Sequence, residues 1–482
     1  MKLLSHQWFL LSIGGILIGF TGMNWNVPIF AWVMLVPFLR YLRLGYSFPK
    51  LFFSLILFQI LSTLRIVNEP FHLVIALVSG VQGGIVFSSL LWLSNRYRKF
   101  SSSSGVSIFF FAFLFTCVEW IGAYFSDLGV WGMMANSQIG NLILLQSVSI
   151  FGATGLSFLI YLINVSLEYF LSEKLDQTQI TPNTWKILLF SLILLVCFYF
   201  FGTFRLSFPI EGKQIKVATI TSKTEIQNLS KDPIQNEINT HLIIEKTRLA
   251  AKEGAKIVVW NEGAVLVSKE KESEFLKQIT SLSKEVQIEI IAAYIIPIES
   301  KEFFFDNKLV WIGNDGTIRQ TYFKQFIVPG EPVSKNDSEI KVISTDFGNF
   351  SVAICYDFDS LRVTNVHSKL GSGITLIPAS DWKGINPFHT EMAAMRGIEN
   401  GSSIVRSTRS GLSGIYDAYG RVKGSSDYFE ENDGILVSSL PVTKLNTFYS
   451  QWGDWIVWIG WCYLGFVMLR VFIFFIKQDK NT

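Results

Sequence analysis

Three side chains of this sequence are of the types that acyl chemistry uses, and each closes a run that reads as a β-strand: Glu262, Lys324 and Cys355. Glu262 follows Val258-Val259-Trp260-Asn261. A carboxylate just past a buried strand becomes a general base when desolvation raises its pKa; otherwise it is a solvated loop acid. Lys324 closes Thr321-Tyr322-Phe323. It is either a surface lysine or an ammonium fixed beside a reacting carbonyl, where it would stabilise an oxyanion. Cys355 sits in Val352-Ala353-Ile354-Cys355-Tyr356-Asp357. A buried free cysteine behaves mostly as a small hydrophobe. At a sharp strand-to-helix turn the same thiol is a nucleophile for acyl transfer once a base activates it. No histidine lies near Cys355 in the sequence, so Glu262 is the better candidate for that base.

The elements that must position these residues lie between about 210 and 442. The pattern predicts strands at 215–221, 256–260, 288–296, 350–355 and 373–377, and helices at 236–252, 270–284 and 386–400. A hairpin of 303–312 and 317–323 turns on Asn314-Asp315-Gly316. Gly254 and Gly401 stand where helices should stop. Buried apolar strands alternating with amphipathic helices predict an α/β layered fold. Of the four cysteines only Cys355 belongs to this segment; Cys117, Cys197 and Cys462 fall in apolar windows. A lone thiol closes no internal disulfide. No CxxC or HExxH spacing occurs and the chain has only five His, so no metal is expected.

Outside that segment the chain is built for lipid. Half of its 482 residues are hydrophobic and 16% are charged, against about a quarter charged in ordinary soluble domains. The mean hydropathy is +0.37. Apolar windows at about 8–23, 27–42, 50–66, 71–94, 106–125, 151–172 and 185–204 precede the α/β segment, and one at 454–476 follows it. The first has only Lys2 before it and lacks a small-residue cleavage site, so it is read as a retained span. The expected domains are a membrane part at 1–209, a catalytic part at 210–442, and a last span with a short tail at 443–482. Arg40, Arg43, Lys50, Arg96, Arg98, Lys99, Lys174, Lys186, Lys477 and Lys480 join Lys2 on one side of such a membrane part. Basic loops stay cytoplasmic, which sends 210–442 to the other face. A net charge of +3 gives no reason to expect nucleic acid.

The ordered set W-x-E, Y-x-K with Val328-Pro329-Gly330-Glu331 after it, and I-C-Y-D resembles the nitrilase (carbon–nitrogen hydrolase) superfamily. The run Pro378-Ala379-Ser380-Asp381-Trp382 and the later stretch from His389 through Arg396, Glu399 and Gly401 are similar to it as well. The resemblance implies an αββα sandwich, with Glu262 as base, Lys324 on the oxyanion and Cys355 as nucleophile. It also implies that Glu331 supports the site, the alternative being a loop charge; Tyr356 would offer its backbone N–H and Asp357 position the turn, with structural roles open for both. Arg396 and Glu399, three apart on a helix, are expected to form a structural ion pair, and His389 to pack.

Seven spans before the domain and one after it resemble the apolipoprotein N-acyltransferase branch. Val118-Glu119-Trp120, Gly129-Val130-Trp131-Gly132 and Gly152-Ala153-Thr154-Gly155 share its character. Asn261 stands where that branch commonly has proline, and Asp357 where it commonly has Glu. The resemblance implies a polytopic enzyme of a bacterial inner membrane with its catalytic domain in the periplasm, working as a monomer without a cofactor. Its partners would be a membrane phospholipid as acyl donor, a diacylglyceryl apolipoprotein as acceptor, and the bilayer. Two other readings compete: a membrane-anchored amidase or nitrilase that passes its acyl group to water, and a non-catalytic binding module on a transporter-like bundle.

Overall fold

Proline decides where one of the apolar windows breaks into shorter helices. In the computed structural model, which describes residues 5–68, 70–176, 182–223, 233–298, 304–430 and 433–479, six helices among the described residues are long and apolar enough to cross a membrane. They are Phe48–Ile66, Leu73–Phe100, Ser104–Phe125, Val148–Leu175, Asn183–Ser207 and Trp455–Ile476. The first two of the eight expected windows differ. Gln7–Gly19 has 13 residues, about 20 Å at ~1.5 Å per residue against a ~30 Å hydrocarbon core. The window at 27–42 is broken into a 3-10 turn, Pro28–Trp32, and a helix of 8 residues, Val36–Arg43. Pro28 and Pro37 each lack an N–H and so begin a new turn instead of continuing an old one. The break leaves backbone groups that lipid cannot satisfy. Asn164, fully buried in Val148–Leu175, satisfies them: its Oδ1 accepts from Leu35 N at 2.9 Å and its Nδ2 donates to Ala31 O at 2.8 Å.

The chain folds as two compact units. The first holds Met1–Ala123, Trp131–Arg205 and Trp452–Thr482. Within it Arg40 pairs with Asp176 at 2.5 Å and Arg43 with Glu168 at 2.7 Å. Those two pairs put Arg40 and Arg43 at the same end of the bundle as Glu168 and Asp176, the end to which the basic-loop pattern assigns both connections. Lys2, Lys480 and Phe303 lie outside the described residues.

The second unit, Tyr124–Val130 with Leu206–Gln451, is a pair of stacked sheets. One sheet uses β1 (Gln214–Ile220), β2 (Ile257–Trp260), β3 (Val265–Leu266), β4 (Glu289–Pro297), β5 (Phe305–Ile312) and β6 (Ile318–Phe323). The other uses β7 (Val342–Thr345), β8 (Gly348–Val352), β9 (Ile374–Ser380), β10 (Ser403–Arg409), β11 (Leu412–Tyr416) and β12 (Val422–Asp427); β13 (Ile435–Pro441) returns to the first. The orders are β13-β1-β2-β4-β5-β6, with β3 beside β4, and β12-β11-β10-β9-β8-β7. Alternate strand residues face opposite ways, and both faces are apolar here. Val217, Val259, Ile291 and Leu309 of one sheet meet Val352, Leu376, Val405 and Ile415 of the other. Outer-face residues Val258, Trp260 and Ile290 pack on Ile243 and Ile279 of helices Pro233–Lys252 and Glu272–Val286. On the far side Ile377 and Ile404 pack on Ala393 and Ala394 of helix Phe388–Asn400. The layers are α, β, β, α, as expected. The parallel β1-β2-β4 and β8-β9-β10 ladders send their carboxyl ends, and the residues just beyond them, toward one rim.

Candidate active site

Glu262, Lys324 and Cys355 all arrive at that rim, and burial rather than exposure describes each one: they are 2%, 1% and 2% exposed. The backbone after β2 is pinned by the side chain of Asn261. Asn261 Oδ1 accepts from Ser222 N at 2.7 Å and its Nδ2 donates to Glu262 O at 2.9 Å. Glu262 Oε1 then accepts from Lys324 Nζ at 2.8 Å and from Asn307 Nδ2 at 2.7 Å. Lys324 Nζ also donates to both oxygens of Glu331 at 2.7 Å, and Glu331 Oε2 accepts from Val328 N at 3.2 Å. Burial works against the ammonium, yet Glu262, Glu331 and the Cys355 thiol hold its pKa well above the usual lysine value. Burial pushes Glu331 up, Lys324 pulls it down and Glu262 pushes it up again.

Cys355 opens a 3-10 turn, Cys355–Asp359, directly past β8 rather than ending the strand itself. Its φ of +47° is left-handed, a conformation that costs a side-chain-bearing residue roughly 1–3 kcal/mol and collects at functional sites. The thiol points at Ser380 O, 3.7 Å away at the end of β9. Burial pushes the thiol well up and Glu262 adds to that, while Arg406 and then Lys324 pull it back.

Asp357 joins the Cys355 turn to the end of β6. Its Oδ1 accepts from Gln325 N at 2.9 Å and Phe326 N at 2.7 Å, and its Oδ2 from Tyr322 Oη at 2.9 Å and Ile354 N at 3.2 Å. Burial pushes its carboxyl up to about 7, against the pull of Phe326 N–H, Lys324 and Tyr322. Asp357→Ala strands four donors in the interior, and a thermal melt of the variant in detergent is expected to show a loss of about 3–5 kcal/mol. The Tyr356 hydroxyl donates to Asp127 O at 2.8 Å, in the segment Tyr124–Val130 that folds with this unit. There Gly129, at φ +53°, lies so close that an added Cβ would fall 2.5 Å from Asp359 O. Only glycine gives this backbone approach at that φ.

Residues 226–445 match the carbon-nitrogen hydrolase family model, and residues 14–166 match the apolipoprotein N-acyltransferase N-terminal domain. Over 396 residues the chain is 24% identical to the apolipoprotein N-acyltransferase of Geobacter metallireducens, covering 77% of this chain and 75% of that one. Over 413 residues it is 26% identical to the one of Haemophilus ducreyi, covering 78% and 77%. The chain is thus similar to apolipoprotein N-acyltransferases over about three quarters of its length. Among solved structures, an amidase from Nesterenkonia sp. superposes with a TM-score of 0.42 at 16% identity, over 52% of this chain and 98% of that one.

Several residues at this candidate site were not singled out in the sequence. Asn307, on β5, braces Glu262. Arg409 Nη2 donates to Ser380 Oγ at 2.9 Å and its Nη1 to Gly263 O at 3.3 Å, bracing the loops after β9 and β2. Arg396 and Glu399 do pair, at 2.7 Å and fully buried. His389 does more than pack: its Nε2 donates to Asp359 Oδ2 at 2.9 Å and its Nδ1 lies 2.8 Å from Asp381 Oδ1. The readable signal was charge inside buried strand: Arg406 and Arg409 interrupt Ser403–Arg409, where every residue is buried.

Cys355, Asp381 and His389 also form a group whose ligand-type atoms lie within 4.8 Å of one another. A metal does not fit among them as they stand. Arg406 Nη2 is already 2.9 Å from both Asp381 Oδ1 and His389 Nδ1 and 3.9 Å from Cys355 Sγ. A cation bound at ~2 Å to those ligands would have to displace the guanidinium.

Proposed function

We propose that this chain moves an acyl group from a membrane phospholipid to the amino terminus of a lipoprotein through a thioester on Cys355. The observation that carries the reading is the buried contact of Glu262, Lys324 and Glu331 at the same rim as the left-handed Cys355 turn. In the first step Glu262 takes the thiol proton and sulfur bonds to the ester carbonyl carbon. Lys324 stabilises the oxyanion. The carbon–oxygen bond breaks, and the proton passes from Glu262 to the departing lysophospholipid alkoxide. In the second step the α-amine of a diacylglyceryl-cysteine attacks the thioester, an amide forms, and the carbon–sulfur bond breaks. The amine proton leaves by way of Glu262 and returns to the thiolate. No ATP is consumed, because a thioester is activated enough to acylate an amine. We place the catalytic unit in the periplasm of an inner membrane, on the strength of the basic loops and the Arg40–Asp176 and Arg43–Glu168 end of the bundle, and take the monomer as the working form.

Purified protein in detergent, incubated with a phospholipid carrying a tagged acyl chain, is expected to acquire a hydroxylamine-sensitive tag. A diacylated lipopeptide should then chase the tag onto itself. A tag that passes only to water would favour an anchored amidase, and folded protein that takes up no tag would remove the phospholipid from the reaction.

A further inference from the structure

Arg406 projects from the middle of β10, between β9 and β11, and is fully buried. Its Nη2 donates to Asp381 Oδ1 at 2.9 Å and reaches to 3.9 Å from Cys355 Sγ, while its Nε and Nη1 have no hydrogen-bond partner among the described residues. A buried guanidinium left this bare is expensive for the fold, and an apolar residue of similar volume would serve stability better. The neighbours hold it in place all the same. Asp381 takes one nitrogen, and His389, fixed at its far side by Asp359 at 2.9 Å, stands 2.9 Å from that same nitrogen. Asp359 is itself fixed, with its carbonyl against Gly129.

We propose that Arg406 is a second fixed cation of this active site, placed to stabilise the Cys355 thiolate, and that Asp381, His389 and Asp359 position it. This rests on the reading of Cys355 as nucleophile. The charges around the sulfur show why one lysine does not suffice. Glu262 acts on it from beyond β2, Lys324 from beyond β6 and Asp381 from beyond β9, with the Tyr356 phenol beside it in the chain. Glu331 and Asp357 reach it only through Lys324 and the turn backbone. Lys324 is shared by two carboxylates, Glu262 and Glu331, so its charge is more than balanced before it acts on sulfur. Arg406 shares its Nη2 with a single carboxylate. Of the two cations it opposes the upward push on the thiol more strongly. The contact acts in both chemical steps: it favours the thiolate as Glu262 takes the proton, and again when sulfur leaves as the amide forms. Arg406 therefore touches a reacting atom, whereas the other three act through it.

The test is the pH dependence of Cys355 alkylation by iodoacetamide in the full chain in detergent, read by mass on the Cys355 peptide. Arg406→Gln is expected to raise the midpoint by about one pH unit, which slows alkylation roughly tenfold below it. Arg406→Lys, which keeps the charge, should slow it less. A folded Arg406→Gln protein with the wild-type profile would overturn the proposal. Should that variant fail to fold, His389→Gln takes its place. It leaves Arg406 its charge and its Asp381 pair but removes the imidazole link to Asp359. A shift of the same sign is required, and an unchanged profile there is equally fatal. Cys355→Ala separates the two readings: if it still forms the acyl-enzyme, the nucleophile assignment fails whatever Arg406 does.

Discussion

Cys355→Ala protein is expected to fold, to take up no acyl label from a tagged phospholipid, and to lose N-acylation by about 10⁴-fold or more, as when a covalent nucleophile is removed from an intact site. Stability should change little. Alanine inherits the same φ of +47°, so the backbone strain is unchanged. Only the packing of one small buried sulfur is lost, which is worth ~1 kcal/mol. Cys355→Ser is the sharper comparison. It keeps a hydroxyl at the same place, but an alkoxide is a poorer leaving group than a thiolate, and its proton is harder for Glu262 to remove. Any ester it forms should therefore resist the lipopeptide amine. Intact mass after incubation with donor lipid distinguishes the three proteins. An alanine variant that still gains the mass of an acyl chain would take Cys355 out of the chemistry.

Lys324→Met should damage both stability and activity. Its Nζ donates to Glu262 at 2.8 Å and to both oxygens of Glu331 at 2.7 Å. Without it Glu262, 2% exposed, is left beside a second carboxylate with no cation between them. Breaking a buried pair by removing one partner costs about 3–5 kcal/mol, and the lower end applies because the Glu331 side chain is 23% exposed. The folded pKa of Lys324 is raised above its ordinary 10.5. The stabilisation is therefore complete below that ordinary value and is lost only as pH rises through the folded pKa. The lysine's own contribution should be constant across the neutral range, but without its pull burial and the neighbouring Glu262 push Glu331 further up. A melt of Lys324→Met should therefore show a smaller deficit against wild type at pH about 6, where Glu331 takes a proton more readily, than at pH about 8. The double variant Lys324→Met/Glu331→Gln removes one of the two stranded charges and should recover part of the melting temperature. It should not recover acyl-enzyme formation, because the oxyanion still lacks its cation. A double variant that regained activity along with stability would reduce Lys324 to a structural ion pair.

The residue pattern alone determined a good deal. Apolar windows, a hairpin around Asn314-Asp315-Gly316 and helices stopped by Gly254 and Gly401 are local properties. They depend on side-chain period and turn chemistry over a few residues, and they survive into β2, β4, β5, β6, β9 and the helices that cover them. The order of Glu262, Lys324 and Cys355 was likewise visible as a resemblance. The places where the reading needed the structure share one physical cause, which is contact between residues far apart in the chain. The 27–42 window is apolar enough to span, yet Pro28 and Pro37 break it, and the break is tolerated only because Asn164 supplies the missing partners. Asn307 reaches Glu262 because β4, which lies beside β2, is followed in the sheet by β5. Tyr356 finds Asp127, and Arg406 finds Asp381, His389 and Cys355, only once β8, β9 and β10 lie parallel and the helix Phe388–Asn400 covers them. Periodicity shows which face a side chain takes. Which distant carboxylate it meets there is decided by strand order, and strand order is set by packing across the whole sheet.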